Sequence, residues 1–334
     1  MKPSHLLKVT PDSKQYYYLR LNDEQKKTYE CISKGMKSLA TVIEVPKHPI
    51  NELSLVFESV LLDNPLLFYV SAFNHASDLY KGKSLIRPNY KYSKQLARDM
   101  TQKVTEHLHE FDQYMQMSDL EKELAVHDHC LKNFEYDYVF DEYSFSILGP
   151  VLNQKAACEG IAKYVKLTLD YLNVENVVVF GKATNPTDGS KPERHAWNIV
   201  YLAGIPYHLD VTFDMTIKNR MNRYDYFNLP DSEIKKEHTM INTVPVCSTH
   251  GNDYYSQNRM VVSSPRELGS YIAQRLQKGE RDIVVKLRDV SDPDNIADKV
   301  LSIAQQQYAS VVKKSFMVNC SYNPSQLVFE LNFG

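Results

Sequence analysis

Apolar positions in the first third of the chain recur every three to four residues. In NDEQKKTYECISKGMKSL the stripe is Tyr29, Ile32, Met36 and Leu39, with Asn22 as N-cap and Gln25 three places on. A second helix is predicted from about residue 52 to 62. A third is marked between 92 and 115 by Leu96, Met100, Val104, Leu108 and Phe111. DNPLLFYV is held extended before Pro65 and reads as a strand or buried turn. SDLE at 118–121 is a capping box for a helix running to about Phe134. Residues 1–117 are thus expected to form a mainly helical region.

The middle of the chain changes period. AACEGIAKY opens an amphipathic helix, and three strand-like runs follow it: NVVVFGKA, HAWNIVYL and IPYHLDVTF. TNPTDGSKPER between the first two is a polar loop, expected to form part of a cleft rim and to be mobile. Only Ala203 and Gly204 separate the last two runs, which predicts a hairpin. After Arg223 the pattern is polar and irregular to about Gln257. The rest alternates strands and helices, as in a compact α/β sandwich of its own, with an exposed linker near 250–257. The expected domains are 1–117, 118–252 and 253–334, and the expected fold class is α+β.

Composition narrows the function. Hydrophobic residues make up 43% and charged residues 24%, the balance of a soluble globular protein. A formal net charge of −2, with both signs interspersed, leaves no basic stripe for nucleic acid. No apolar run approaches the roughly 20 residues that a membrane-spanning helix needs, and the first fifteen residues lack the apolar core of a secretory signal. The five cysteines are odd in number and scattered, as expected of reduced thiols in the cytoplasm.

One of those cysteines, Cys158, stands at the predicted start of a helix, where the positive end of the dipole favours a thiolate. A nucleophile also needs a base and a group to orient the base. If the hairpin turns on Ala203-Gly204, Trp197 faces Asp210 and His195 faces Thr212, all on one side of the sheet. Asp210 is then the diagonal neighbour of His195, roughly 7–8 Å away between backbones, a gap that an imidazole and a carboxylate can close. The predicted roles are Cys158 as nucleophile, His195 as base and Asp210 as orienting acid.

ACEGIAKY followed by HAWNIVYLAGIPYHLDVTFD resembles the three-block signature of the transglutaminase-like superfamily. EKELAVHDHCLKNFEYDY resembles the segment that precedes the cysteine in bacterial multidomain members, and RYDYFNLPDSEIKKEHT the segment after the aspartate. The resemblance spans roughly residues 118 to 240. It implies a papain-like core, with a cysteine-bearing helix packed on an antiparallel sheet, and acyl-transfer chemistry through a thioester. The Cys158 N–H is one expected oxyanion donor. Gln154 is a candidate for the second, with Trp197 as a further candidate donor or as a lining residue.

Plainer readings stand beside these. Cys158 alone reads as a buried structural thiol, and His195 or Asp210 alone as an ordinary strand residue. HDHC suggests a metal pair, but His127 shares the helical stripe of Leu120, Leu124 and Leu131, and no second ligand pair accompanies His127 and Cys130. Cys247 and His250 have no better claim. His208 is the rival base, with Ile199 opposite it. The expected function is a cysteine hydrolase of peptide or amide bonds, acting on a protein or peptide without metal or cofactor. The alternatives are an amine-accepting transglutaminase and a non-catalytic binding module on the same fold.

Overall fold

The computed structural model describes residues 15–78, 82–185, 191–241, 243–290, 295–312 and 317–334. The chain is α+β, and its elements fall into three groups along the sequence. In the first, helix Asp23–Lys37 begins at the Asn22–Gln25 capping box and buries Tyr29, Ile32 and Met36. Helices Ile50–Asp63 and Lys94–Leu108 complete one apolar core with it. The inward stripe of Lys94–Leu108 starts at Ala97, while Leu96 is 43% exposed.

This region is less uniformly helical than its periodicity suggests. Strands Ile43–Pro46, Lys83–Tyr90 and Val70–Asp78 form an antiparallel sheet, with Lys83–Tyr90 in the centre. The inward positions of the central strand are Ser84, Ile86 and Pro88, so only one of the three is a strong apolar strand former. Burial alternates there without the hydrophobicity that announces it.

The second group carries the cysteine. Helix Asp119–Asn133 starts at the Ser118–Glu121 capping box. It leads into Glu135–Tyr136, a two-residue strand lying parallel to Lys155–Ala156 just ahead of helix Cys158–Tyr171. That helix is buried on most sides. Ile161, Tyr164, Val165 and Leu169 belong to the central core, while Leu167 belongs to the core of the first group.

A five-stranded antiparallel sheet packs against it, in the order His238–Met240, Asn176–Ala183, Glu193–Leu202, Ile205–Leu209, Phe227–Leu229. The hairpin turns on Ala203 (φ 51°) and Gly204 (φ 78°), the left-handed pair that a two-residue turn demands. Its register pairs Asn198 with Leu209 and Ile199 with His208, as the two-residue turn requires. The second strand is shorter than IPYHLDVTF suggests. It ends at Leu209, and Val211–Ile217 is a helix, so Thr212 does not sit across from His195. Residues 186–190 of the loop before the histidine strand lie outside the described residues.

The third group is a sheet in the order Val261–Val262, Asp282–Leu287, Val328–Asn332, Asn319–Asn323. Helices Pro265–Gln277 and Ile296–Val312 cover one face, which offers Ile283, Val285, Phe329 and Leu331. The alternate residues face the second group. Val284 and Val328 join its core, Lys286 Nζ lies 2.5 Å from Glu233, and Glu330 lies 3.7 Å from Arg223. The expected exposed linker near 250–257 is instead partly inside. Asp253 and Tyr255 are buried, and the Tyr255 hydroxyl donates to Asp225 at 2.7 Å. Among the described residues no helix is long and apolar enough to cross a membrane.

Candidate active site

Cys158 is the first residue of its helix, and the N-cap Ala157 has no side chain able to occupy the free N–H groups there. The helix can begin here because position 160 is glycine. A Cβ at Gly160 would come within 2.3 Å of the Ser144 carbonyl oxygen. The thiol is half-buried and lies beside the His195 ring, near enough to help hold the ring's proton.

His195 stands near the start of the central strand, 9% exposed. Its Nε2 meets Asp210 Oδ2 at 2.7 Å, which leaves Nδ1 as the ring nitrogen free to serve the thiol. Phe213 lies against the ring at 4.6 Å, and Trp197 stacks with it at 6.0 Å and 19°. Burial acts to strip the imidazole of its proton. The Asp210 carboxylate and the thiol outweigh burial and hold the ring protonated to about 10.

Asp210 is wholly buried and performs two local tasks. It ends the hairpin, and it caps helix Val211–Ile217, with Oδ1 accepting from the Phe213 N–H at 3.1 Å. Burial alone would push this carboxyl up. The charge of His195 and the hydrogen bonds from His195 and His238 reverse that and hold it well below the usual carboxylate range.

The other candidates fare differently. Gln154 is exposed and left-handed (φ 54°), at the end of the turn Gly149–Asn153, and its carbonyl accepts from the Glu135 N–H at 2.9 Å. Trp197 is buried, and its indole N–H donates to His208 Nδ1 at 3.0 Å, so it lines the site and has no donor left for an oxyanion. A Cβ at Gly181 would lie 2.7 Å from this indole, which is why a glycine faces it. His208 has both ring nitrogens taken, by Trp197 and by Asp231 at 2.9 Å, which removes it as a rival base.

Two residues that sequence reasoning missed adjoin the triad. The Tyr136 hydroxyl lies beside Cys158, close enough that the cysteine's charge and backbone N–H both act on it, and burial pushes its own proton affinity well up. Asp137, next to it, anchors the following turn through the Ser144 hydroxyl and the Val139 N–H. A groove of about 500 Å³ opens beside Tyr136, lined among others by Leu131, Phe134, Tyr138 and Met215. The second residue, His238, reaches Asp210 from the edge strand at 2.9 Å. Both lie inside segments that carry the resemblance, EKELAVHDHCLKNFEYDY and RYDYFNLPDSEIKKEHT, but no local pattern singled out either residue.

For a metal, three clusters among the described residues hold ligand atoms within 4.8 Å of one another: His195–Asp210–His238, His208–Asp231–Cys247 and His107–Glu110–His129. In the first two, the histidine nitrogens sit 2.7–2.9 Å from carboxylate oxygens, the spacing of hydrogen bonds. In the third, His107 is bonded to Tyr164 at 2.7 Å and to Glu110 at 3.2 Å. His127 meets Asp214 at 3.0 Å, while Cys130 lies in the apolar core, so the two do not act as a pair.

No protein-family model matches the sequence, and comparison with curated proteins finds no match. Among solved structures, the chain is similar to one described as a TGase, at 14% identity and a TM-score of 0.32. That match covers 47% of this chain and 48% of that one, about half of its length. A "Putative Cysteine Protease from Cytophaga hutchinsonii" is similar at 13% identity over 55% of this chain and 68% of that one, with a TM-score of 0.27. Overlaps this partial say nothing about chemistry, which rests on the residues themselves.

Proposed function

We propose that the protein is a thiol acyl-transfer enzyme that hydrolyses peptide or amide bonds through Cys158, His195 and Asp210. One observation carries this reading: a single imidazole joins a half-buried thiol at a helix start to a wholly buried carboxylate. His208 also has two partners, but they are an indole N–H and a carboxylate, whereas His195 stands between a nucleophile and an anion.

The steps follow from that geometry. The Cys158 sulfur, its proton on His195, attacks the substrate carbonyl carbon. The developing oxyanion takes the Cys158 N–H, and the Tyr136 hydroxyl beside it donates as well. His195 passes its proton to the departing amine, leaving a thioester on Cys158. Water then attacks the thioester, giving its proton to His195, and the thiol and a carboxylic acid are released. Asp210 remains ionised throughout and holds the ring in the tautomer that serves both proton transfers.

Hydrolysis is favoured over amine transfer because the one tryptophan lies buried behind His195. It supplies no aromatic wall for a channel that would admit a lysine stem and exclude water. Iodoacetamide at pH 6.5 should alkylate Cys158 before the exposed Cys31, and well before Cys130, Cys247 and Cys320, whose thiols burial pushes up. A glutamine peptide incubated with a labelled primary amine should release ammonia, and Cys158→Ala should abolish the release. Amine incorporation that exceeds ammonia release would overturn hydrolysis in favour of crosslinking.

A further inference from the structure

His238 begins the edge strand His238–Met240 and lies opposite Ala183. Its side chain is fully buried, and its Nε2 sits 2.9 Å from Asp210 Oδ2, the same oxygen that His195 meets at 2.7 Å. Around the ring are Phe213 at 4.7 Å, Trp197 at 4.9 Å and Tyr226 at 6.0 Å. Its Nδ1 has no hydrogen-bond partner among the described residues. Those contacts decide the tautomer. A proton on Nε2 makes the bond to Asp210 and leaves only a lone pair facing aromatic carbon. A proton on Nδ1 alone would set two acceptors against each other and bury an unpaired N–H.

We propose that His238 is a positioning residue for the thiol reaction: its Nε2–H fixes the Asp210 carboxylate in the orientation that anchors His195. This rests on the reading of Cys158 as nucleophile. Asp210 then accepts three hydrogen bonds, from His195 and His238 on Oδ2 and from the Phe213 N–H on Oδ1. The torsion that turns a carboxylate about its Cβ–Cγ bond is soft and has no sharp intrinsic minimum, so neighbouring donors set it. With only the Phe213 N–H and His195 left, the carboxylate gains freedom to swing Oδ2 away. The imidazole facing the thiol then loses its fixed angle. The aromatic ring of His238 and its N–H are separable contributions, because phenylalanine keeps the first and lacks the second.

The test is the rate at which iodoacetamide alkylates Cys158 at pH 6.5, followed by mass spectrometry on the full chain. Wild type is compared with His238→Phe, His238→Gln and His238→Asn, each checked by thermal melting. The glutamine amide reaches the position of Nε2, whereas the asparagine amide reaches only that of Nδ1. The phenylalanine and asparagine variants should react about tenfold more slowly, the effect of one hydrogen bond to a charged group. Glutamine should recover most of the loss. Should phenylalanine fail to fold, the contrast between glutamine and asparagine still decides. A wild-type rate in the phenylalanine variant, or equal losses in glutamine and asparagine, would overturn the proposal. Wild-type Cys158 that reacts no faster than Cys31 would instead overturn the nucleophile reading on which it rests.

Discussion

Glu123 lies on the inner side of helix Asp119–Asn133 with no exposure at all, an expensive place for a negative charge. Oε2 accepts from Asn228 Nδ2 at 2.9 Å, while Oε1 and Asn228 Oδ1 are both buried without partners. Burial pushes the carboxyl from its ordinary 4.5 up to about 8, against weaker pulls from Asn228 and His127. The unfolded chain loses this proton near pH 4.5, whereas the folded chain keeps it to about 8. The stabilising contribution is therefore whole below pH 4.5 and is lost as pH rises through about 8. Each decade is worth about 1.36 kcal/mol, so the loss is about 1 kcal/mol at pH 5, about 3 at pH 7 and levels off near 5. Glu123→Gln has no proton to lose in either state. It keeps an acceptor for Asn228. The stability of the variant relative to wild type should rise between pH 5 and 8.5 in urea unfolding, by several kcal/mol across that range. A margin that does not grow between pH 5 and 8.5 would refute the reasoning, since it would mean that Glu123 is already ionised in the folded chain.

Two further outcomes follow from the site. His195 holds its proton to about 10 because of Asp210 and the thiol. The alkaline fall of kcat/KM should therefore lie well above pH 7, and Asp210→Asn should bring it down towards 6.5, alongside a large loss of rate; a limb that does not move would separate Asp210 from the base. Tyr136→Phe removes the hydroxyl at the Cys158 N–H and should lower kcat by about a hundredfold with little change in KM, the effect of one oxyanion donor. An unchanged kcat would leave that role to another group.

Local rules were legible in the chain wherever neighbours in sequence decide the outcome. Asn22–Gln25 and Ser118–Glu121 are capping boxes whose partners lie three residues apart, and both helices begin there. Ala203-Gly204 sets the register of the hairpin because a two-residue turn leaves one pairing, and that pairing carries His195 and Asp210 to the same place. Cys158 at a helix start needs no more than the amphipathic pattern that follows it.

What only the tertiary structure decided involves groups far apart along the chain or alternatives that local preference leaves balanced. Asp210 could extend a strand or cap a helix. Its Phe213 N–H bond chose the cap, and that shortened the strand without displacing the carboxylate. The sheet around Lys83–Tyr90 buries Ser84 and Pro88, so its inward face carries no apolar alternation to read. Trp197 is drawn behind the site by His208 and by the space over Gly181, neither of which a single strand reveals. Tyr136 reaches the cysteine through a parallel pairing with Lys155–Ala156, and His238 reaches Asp210 from 28 residues further along. A hydrogen bond across such a separation leaves no periodicity in the sequence, because it depends on where the sheet edge and the helix end meet in space.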